Sequence, residues 1–506
     1  PARTRSPKGI HRARLSSVLP AQPDGTIIEF YVWTTDGNRD RTWPGPTQPS
    51  GQQDANALYQ VDDSYNPSAA WVPGTHPNYR LIMTEAERAE LADIGDANSS
   101  PSNEENSNAE MNCTFIVEDG TGLAVRYLSS VRNRGASSRN PPPNNFLVKF
   151  RSDDSWKGRP SIKFNARYVH SQVFGSWFYR ASGLETADIA AAKLRINGSD
   201  LAQSGGIMFG SYARVESFGS EFTANHWPRD PNGNFYQVRD DDDTGEEGDL
   251  RYEGPDADNY RNTYFKQTNE SDDDWSDLIA LTDALNNAPA ATYAQDVGQV
   301  LNIDQWLRYF ATDTLAGNRE GGLITSKGDD YGLYRGVDDP RFVIVPHDLD
   351  TLFNMGNATV QTGTSIWSFA NLPGLTRFFD NAEIIQRYYA TLLELLAGGF
   401  NPTVIHPMIE EILGDFVSGG EIEDAEDWTT GRVNGARNQI PDSFSAASDL
   451  TQSDDFDRTT TGAVVFSGAT RNSLVILPLV LALPAAFDLA TLVVVTQTLV
   501  ELVVMV

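Results

Sequence analysis

Cysteine is nearly missing from this sequence. A single one, Cys113, stands among 506 residues, so no disulfide can form within the chain. The fold must then rest on packing and hydrogen bonding. Histidine is scarce too. His11, His76, His170, His226 and His406 are scattered without metal-ligand spacing, which predicts ordinary surface or core roles for them. Positive charge is in short supply: 39 Lys plus Arg against 69 Asp plus Glu leave a net charge of −30. Such a chain repels polyphosphate, so no nucleic-acid partner is expected, although a local basic cleft remains compatible with it. The patterns GxxxxGK[ST], HExxH, GxSxG and CxxC are all absent, which removes the usual support for P-loop, zinc-protease, hydrolase-elbow and thiol-redox chemistry. The start, Pro1-Ala2-Arg3-Thr4, has neither an initiator Met nor a signal peptide's apolar run, so a trimmed piece of something longer is expected.

What is present is enough to build cores. Hydrophobic residues make up 40% and aromatics 10%, which excludes wholesale disorder. At about 100–200 residues per domain, the length predicts two to four domains. Residues 1–62 carry a β-type run, Ile27–Trp33, between Asp24-Gly25 and Asp36-Gly37, and are expected to be a partial immunoglobulin- or fibronectin-like β segment. Residues 63–110 are a connector holding one helix, Thr84–Ile94, with Thr84 and Glu87 spaced as a capping box. Residues 111–270 are mainly strands, among them Thr114–Val117, Leu123–Leu128 and Asn145–Phe150, plus a helix over Arg167–Ala181 stopped by Gly183. Residues 271–445 are mostly helical around Trp275–Leu285, Ile303–Phe310, Thr391–Leu396 and Val404–Phe416. Short strands interrupt them at Gly322–Thr325, Tyr331–Tyr334 and Arg341–Val345. The class is α+β.

Two stretches resist a functional reading. Asp240–Asp249 has Gly245 at the sixth position of an EF-hand loop but Arg251 at the twelfth, where a Glu belongs, so a solvated acidic insertion is expected. Leu474–Val495 is long enough to span a bilayer, yet Pro478, Pro484 and Asp488 fit a spanning helix badly. A C-terminal β segment over 455–506 is the preferred expectation, with a membrane anchor through Leu474–Val495 as the alternative.

Chemistry concentrates later in the chain. Asp313 and Asn318 are five apart, the spacing with which protein kinases place a proton-accepting Asp and a metal-holding Asn. Asp348 follows at the end of an apolar strand, with Asp350 two residues on. Phosphoryl transfer needs oxygen ligands for a metal that offsets triphosphate charge. By themselves, acid pairs at strand ends also serve as turn formers. The cationic side is Arg132, Arg134, Ser137, Ser138 and Arg139 around Gly135, with Lys149 on the following strand. Guanidinium forks, hydroxyls and a close-approaching glycine backbone suit phosphate oxygens, and equally the carboxylates of this acidic chain.

The ordered set Arg132–Arg139, Phe146–Phe150, Tyr212–Glu216, Tyr264-Phe265-Lys266, Trp306–Asn318, Tyr331–Tyr334 and Pro346–Asp350 resembles the spore-coat protein H (CotH) kinase family, an atypical secreted protein-kinase-like group. The resemblance spans roughly residues 80–445. It implies a two-lobed atypical kinase-like domain over 111–450, with a β-rich N-lobe and a helical C-lobe, flanked by small β-sandwich-type segments. It implies ATP-dependent phosphorylation of protein hydroxyls outside a bacterial cell, with Mg²⁺ or Mn²⁺ and with Ca²⁺ as an alternative. Asp313 would be the base, and Asn318, Asp348 and Asp350 the metal ligands. Arg132, Arg134, Ser137, Ser138, Arg139 and Lys149 would hold phosphates. Glu216 would fix the nucleotide or Lys149. The sequence departs from the family pattern at His347, where Trp is usual, and at Asp330, where Asn is usual. His347 can serve as a packed ring, a hydrogen-bond donor or a ligand. The helix Arg167–Ala181 holds no Asp or Glu, so no kinase-style lysine partner can come from it. The competing expectation is a non-catalytic structural or adhesive component of a surface assembly. The partners implied are a protein substrate or neighbouring copies of the chain.

Overall fold

The computed structural model describes residues 20–442, except 36, 46–54, 67, 95–106, 136–138, 140–141, 240–245, 320, 322–326 and 357–359. Ser137, Ser138, the expected strand Gly322–Thr325 and the expected C-terminal β segment lie outside the described residues.

Four short strands come first: β1 (Ile27–Phe30), β2 (Val32–Thr35), β3 (Asp40–Trp43) and β4 (Ala57–Gln60). β1 pairs with β4 and β2 with β3, both antiparallel. The run Ile27–Trp33 is thus split at Tyr31 between two partners. Among the described residues these pieces complete no sandwich. They lean on the next unit instead: Ala57 and Leu58 are buried, and Leu58 N–H donates to Thr114 Oγ1 at 3.2 Å.

That unit is a closed barrel. Its elements are β5 (Asn78–Ile82), α1 (Glu85–Ile94), β6 (Met111–Glu118), β7 (Leu123–Asn133), β8 (Phe146–Lys149), β9 (Ser161–Asn165), α2 (Val169–Ala181), β10 (Ile189–Ile196), β11 (Ser199–Asp200) and β12 (Tyr212–Glu216). The spatial order is β5-β6-β7-β8-β9-β12-β10, and a parallel β10–β5 pairing closes the ring of seven strands. The other ladders of the ring are antiparallel. Strand alternation fills it: Cys113, Phe115 and Val117 of β6, Val148 of β8, and Ile162 and Phe164 of β9 are buried in one apolar cluster with Tyr79 and Tyr212. α1 starts with the expected capping box, Glu87 N–H donating to Thr84 Oγ1 at 3.2 Å and Thr84 N–H to Glu87 Oε2 at 3.4 Å. The stretch read as a connector therefore supplies β5, one stave of the barrel.

The rest of the chain builds a second apolar cluster. Its elements are α3 (Ser220–His226), β13 (Asn234–Val238), β14 (Tyr264–Lys266), α4 (Ser276–Asn287), α5 (Tyr293–Val300), α6 (Ile303–Ala316), β15 (Tyr331–Arg335), β16 (Val343–Pro346), α7 (Thr376–Asp380), α8 (Ala382–Ala397), α9 (Pro402–Leu413) and α10 (Gly419–Arg437). The strands form one antiparallel sheet, β14-β13-β15-β16. Phe174, Phe178 and Tyr179 of α2 join this second cluster, together with Trp306, Phe310 and Leu315 of α6. α2 is thus shared: its chain neighbours are barrel strands, and its buried face belongs to the helical half.

Candidate functional site

A small cleft, with a cavity volume of about 30 Å³ and partly open to solvent, lies where the barrel meets the end of β16. β9, β12 and the end of β7 face it from the barrel. On β9, Ile162 and Phe164 point into the barrel, so Lys163 and Asn165 must point out. On β12 the same alternation turns Val215 toward the cleft and Glu216 away. Pro346, His347, Asp348 and Leu349 close the cleft from the second sheet.

The polar floor is cationic. The Arg134 guanidinium donates to Asn165 Oδ1. Asn165 Nδ2 donates to Gln172 Oε1 at 2.9 Å, and Gln172 Nε2 to Arg167 O at 2.5 Å. This relay fixes the guanidinium from strand to helix. The Lys163 ammonium lies 5.5 Å from the Phe218 ring centroid. Burial, with the positive charges of Arg134 and Arg239, pulls its pKa down to about 7, against the carboxylate of Asp348. Asp348 itself is pushed up by burial and by the neighbouring Asp330 charge, while His347, Arg134 and Lys163 pull it down. Its backbone is in the left-handed region, φ 45°, as is that of Asp330, φ 52°. Such conformations in residues other than glycine are costly, and they cluster at functional sites.

His347 is the hinge of this arrangement. Its Nδ1 lies 3.2 Å from Asp330 Oδ1 and its Nε2 3.3 Å from Gln237 Nε2. Burial and the nearby cations Lys163, Arg134 and Arg239 lower its pKa to about 3, so the ring is neutral. A neutral ring with the proton on Nδ1 satisfies both partners, donating to Asp330 and accepting from Gln237. The ring also packs 5.3 Å from Phe218. Both nitrogens are therefore occupied within the protein. The two departures from the family pattern, His347 and Asp330, are bonded to each other.

Asp313 lies behind the cleft rather than on its wall. It sits in the last turn of α6, which Gly317 terminates at φ 65°. It is 1% exposed, and its Oδ1 accepts from Tyr179 Oη–H at 2.5 Å and from Asn318 Nδ2 at 3.0 Å. Its Oδ2 has no hydrogen-bond partner among the described residues. Burial pushes its pKa up to about 7, against the two hydrogen bonds. Asn318 is committed as well, its Oδ1 accepting from Gly321 N–H at 2.9 Å. Tyr309 stands between the two acidic regions: burial raises its pKa first, and the charges of Asp313, Asp330 and Asp329 raise it further. The Asp348 segment runs back along the end of α6 through Phe353 N–H to Ala316 O at 2.9 Å.

The expected residues are thus divided. Arg134 and Asp348 meet in the cleft. Lys149 does not: it is opposite Ser161, at the end of β8, half exposed and paired with Glu110. Lys163, paired in register with Leu147, stands where Lys149 was expected. Arg132 and Arg139 are turned to the 107–108 backbone and side chains, bonding Asn108 Oδ1 at 2.8 and 3.0 Å. Glu216 holds His226 and Asn225, and touches neither lysine. Asp350 does not line the cleft. Sequence reading missed Lys163, Asn165 and Gln172. The signal was there in Ser161–Asn165, where polar and apolar residues alternate around a mid-strand lysine, but Gly158 and Pro160 hid so short a strand.

A divalent metal is implied by the resemblance, and the donor set can be tested for it. Among the described residues no group of three or more His, Cys, Asp or Glu could hold a metal ion. Of the nearby carboxylates only Asp348 lines the cleft; Asp330, like Asp350, does not, and its charge acts on Asp348 from outside the lining. One lining carboxylate fits magnesium, which is held by one or two carboxylates and completed by phosphate and water, and not a fully proteinaceous calcium cage.

The sequence profile of the CotH kinase protein family matches residues 131–437. The inner spore coat protein H of Bacillus subtilis (strain 168) is 23% identical over 285 residues, 54% of this chain and 73% of that protein. Solved structures similar to the chain include the Helicobacter pylori proinflammatory kinase CtkA, at 11% identity and a TM-score of 0.29 over 58% of this chain and 92% of that one. Another is the HipA–HipB–operator DNA complex of Shewanella oneidensis MR-1, at 11% identity and a TM-score of 0.27 over 77% of this chain and 78% of that one. Neither structural likeness is strong enough to transfer residues. The profile match covers more than half of the sequence, and on that ground the chain belongs to the CotH kinase family.

Proposed function

We propose that this chain is a surface or secreted protein kinase of the CotH type, moving the γ-phosphoryl group of ATP to protein hydroxyls. One observation carries the reading: Lys163 and Arg134 converge with Asp348 on a single cleft. Lys163 and Arg134 bind phosphate oxygens there, the fork giving orientation and the ammonium giving charge. Asp348 would hold the metal, with Asn318 bracing Asp313 instead of ligating. When bound, the metal neutralises the charge that develops on the transferred phosphoryl group. Asp313 is the candidate base through its unpartnered Oδ2, which must gain access to the acceptor hydroxyl because it is buried behind the cleft. The barrel and the helical half act as the two lobes of a kinase-like fold. The spore-coat relative supports an extracytoplasmic location, and no helix of the described residues is long and apolar enough to cross a membrane.

The test is thermal stabilisation and self-labelling with ATP and Mg²⁺ or Mn²⁺, with and without EDTA. Metal-dependent stabilisation that disappears in Asp348→Asn is expected. Stabilisation unaffected by EDTA and by Asp348→Asn would remove the reading. A second reading, a non-catalytic component of a surface assembly, is favoured by the burial of Asp313 behind the cleft. It predicts stabilisation by ATP with no phosphate transfer to any protein.

A further inference from the structure

His226 lies outside the machinery above, at the end of α3, and it is bonded on both sides. Its Nδ1 is 2.7 Å from Glu185 Oε2 and its Nε2 is 2.9 Å from Glu216 Oε2. A carboxylate only accepts, so both ring nitrogens must donate, and only the imidazolium carries two N–H groups. The geometry alone therefore makes this residue a cation. Burial would lower its pKa, but the bonds to Glu185 and Glu216 outweigh burial and push it up to about 9. Its ring packs 4.2 Å from Phe222.

The two glutamates are placed tellingly. Glu185 immediately precedes Thr186 and Ala187, and Glu216 immediately follows Val215; those three neighbours line the cleft. Phe222 in turn packs 4.8 Å from Phe218, another lining residue. We propose that His226 is a positioning residue, a charged brace that ties together the two backbone runs walling the cleft, 185–189 and 215–218, and thereby sets nucleotide affinity. The proposal rests on the cleft being the nucleotide site.

Other charges face the brace. Glu216 Oε2 also accepts from Asp188 N–H at 3.1 Å, and Oε1 accepts from Asn225 Nδ2 at 2.8 Å. Arg159 lies 3.8 Å from Glu216 and 3.7 Å from Asp188. Asp188 is further paired with Arg214 at 2.8 Å and Arg180 at 3.3 Å. The Arg159 guanidinium partly offsets Glu216. Deprotonation of His226 leaves Glu185 as the group without compensation. One ring nitrogen then turns a lone pair toward a carboxylate, and one of the two ties breaks.

The test uses the full chain with Glu185→Gln and His226→Gln. Glu185 is half exposed, so its variant keeps the fold. The first readout is the imidazole proton resonance of His226, assigned by its loss in His226→Gln. It should titrate well above the ordinary histidine value of about 6.5 and move down in Glu185→Gln. The second is amide exchange compared at one pH, which should quicken at 186–189 and 215–218 in His226→Gln. The third is the Kd for ATP with Mg²⁺, which should weaken by about threefold to tenfold in His226→Gln, as expected for one lost charge-assisted bond. In the wild type the same weakening should set in at alkaline pH, and at lower pH in Glu185→Gln. An ordinary His226 titration overturns the brace. A raised titration with unchanged exchange and unchanged Kd in His226→Gln overturns its positioning role. Quickened exchange in a protein that binds no ATP at any pH sinks the nucleotide reading and leaves the brace.

Discussion

Two ionisable side chains bear contradictory demands, and each contradiction is measurable. Lys163 is held in the fold near neutrality, although its ordinary pKa is about 10.4. Between those values the unfolded chain binds the extra proton, so this residue makes the protein more stable as pH rises. Below about pH 7 the full cost of a buried ammonium is present. Lys163→Met should therefore raise the melting temperature of the ligand-free protein in mild acid, by roughly 2–4 °C for each kcal/mol relieved, while abolishing stabilisation by ATP. Lys149→Met should change neither, because Lys149 pairs with Glu110 on the surface. Differential scanning calorimetry with and without ATP separates the two lysines. Asp313 shows the same logic with the opposite sign. Its carboxyl is raised to about 7, so the native state holds a proton the unfolded chain has lost, and stability falls as pH climbs from about 4 to 7. As a base it works only when ionised, so turnover should rise with pH through about 7. Asp313→Asn should lower turnover by about 10²–10⁴ and yet melt at a higher temperature in mild alkali. A pH–rate profile flat through neutrality would take the base assignment away from Asp313.

Elements carry these side chains to their places, and their legibility varied for physical reasons. The capping box at Thr84 and Glu87 was readable because both partners are local, three residues apart. α6 was readable because Ile303, Trp306, Leu307 and Phe310 form an apolar stripe, while Asp313 and Asn318 stood out by their spacing of five. α10 was not: Gly419–Arg437 carries five acids, and its buried face is made of Ala425, Trp428, Thr429, Arg432, Val433 and Ala436. The helical period is there, but Thr429 and Arg432 interrupt its apolar positions. Arg432 is wholly buried and donates to the carbonyls of Thr314, Thr362 and Thr364, bonds between distant segments that no local pattern announces. Lys163 escaped for a related reason, since the ladder that sets its facing pairs residues far apart in sequence. The segment bearing Asp348 is likewise set by another element. Ser171 of α2 donates to Leu349 O at 2.8 Å and accepts from Leu352 N–H at 2.8 Å. Both bonds are buried, and Ser171→Ala leaves a carbonyl and an amide without partners, at a cost of about 1–3 kcal/mol each at most. Urea unfolding should register that loss. The Kd for ATP with Mg²⁺ should weaken with it, because Asp348 adjoins the released turn. Lost stability with unchanged affinity would show that β16 alone positions the carboxylate.

At the scale of the whole molecule, family boundary and folding boundary do not coincide. The matched region begins at residue 131, inside β7. A fragment cut there retains the cleft residues Arg134, Lys163 and Asp348 but loses β5, β6 and most of β7. The barrel cannot close without β5, since β10 pairs with it in parallel on one side while β6 pairs with it on the other. Tyr79, Leu81, Phe115 and Val117 leave the barrel interior at the same time, where Tyr79 packs on Trp156 and Phe164 and Phe115 on Phe150. At about 1.5–3 kcal/mol for each fully buried large side chain, their removal exceeds the 5–15 kcal/mol by which whole domains are stable only if several are lost together. Here a contiguous set goes, and two sheet edges are exposed to aggregation besides. Residues 20–45 are different in kind. β2 and β3 pair with each other and are largely exposed, so removal of the segment costs mainly the β1 ladder on β4 and the contacts of Phe30 and Trp43 with Tyr59 and Tyr127. The expected outcome is that residues 131–437 produced alone give an aggregating chain without a cooperative melt. Residues 55–442 should melt cooperatively and still be stabilised by ATP with Mg²⁺. Circular dichroism melts and size-exclusion chromatography read both. A cooperative, nucleotide-stabilised fragment 131–437 would mean that closure of the barrel is dispensable, and that the cleft is held by α2 and the second sheet alone.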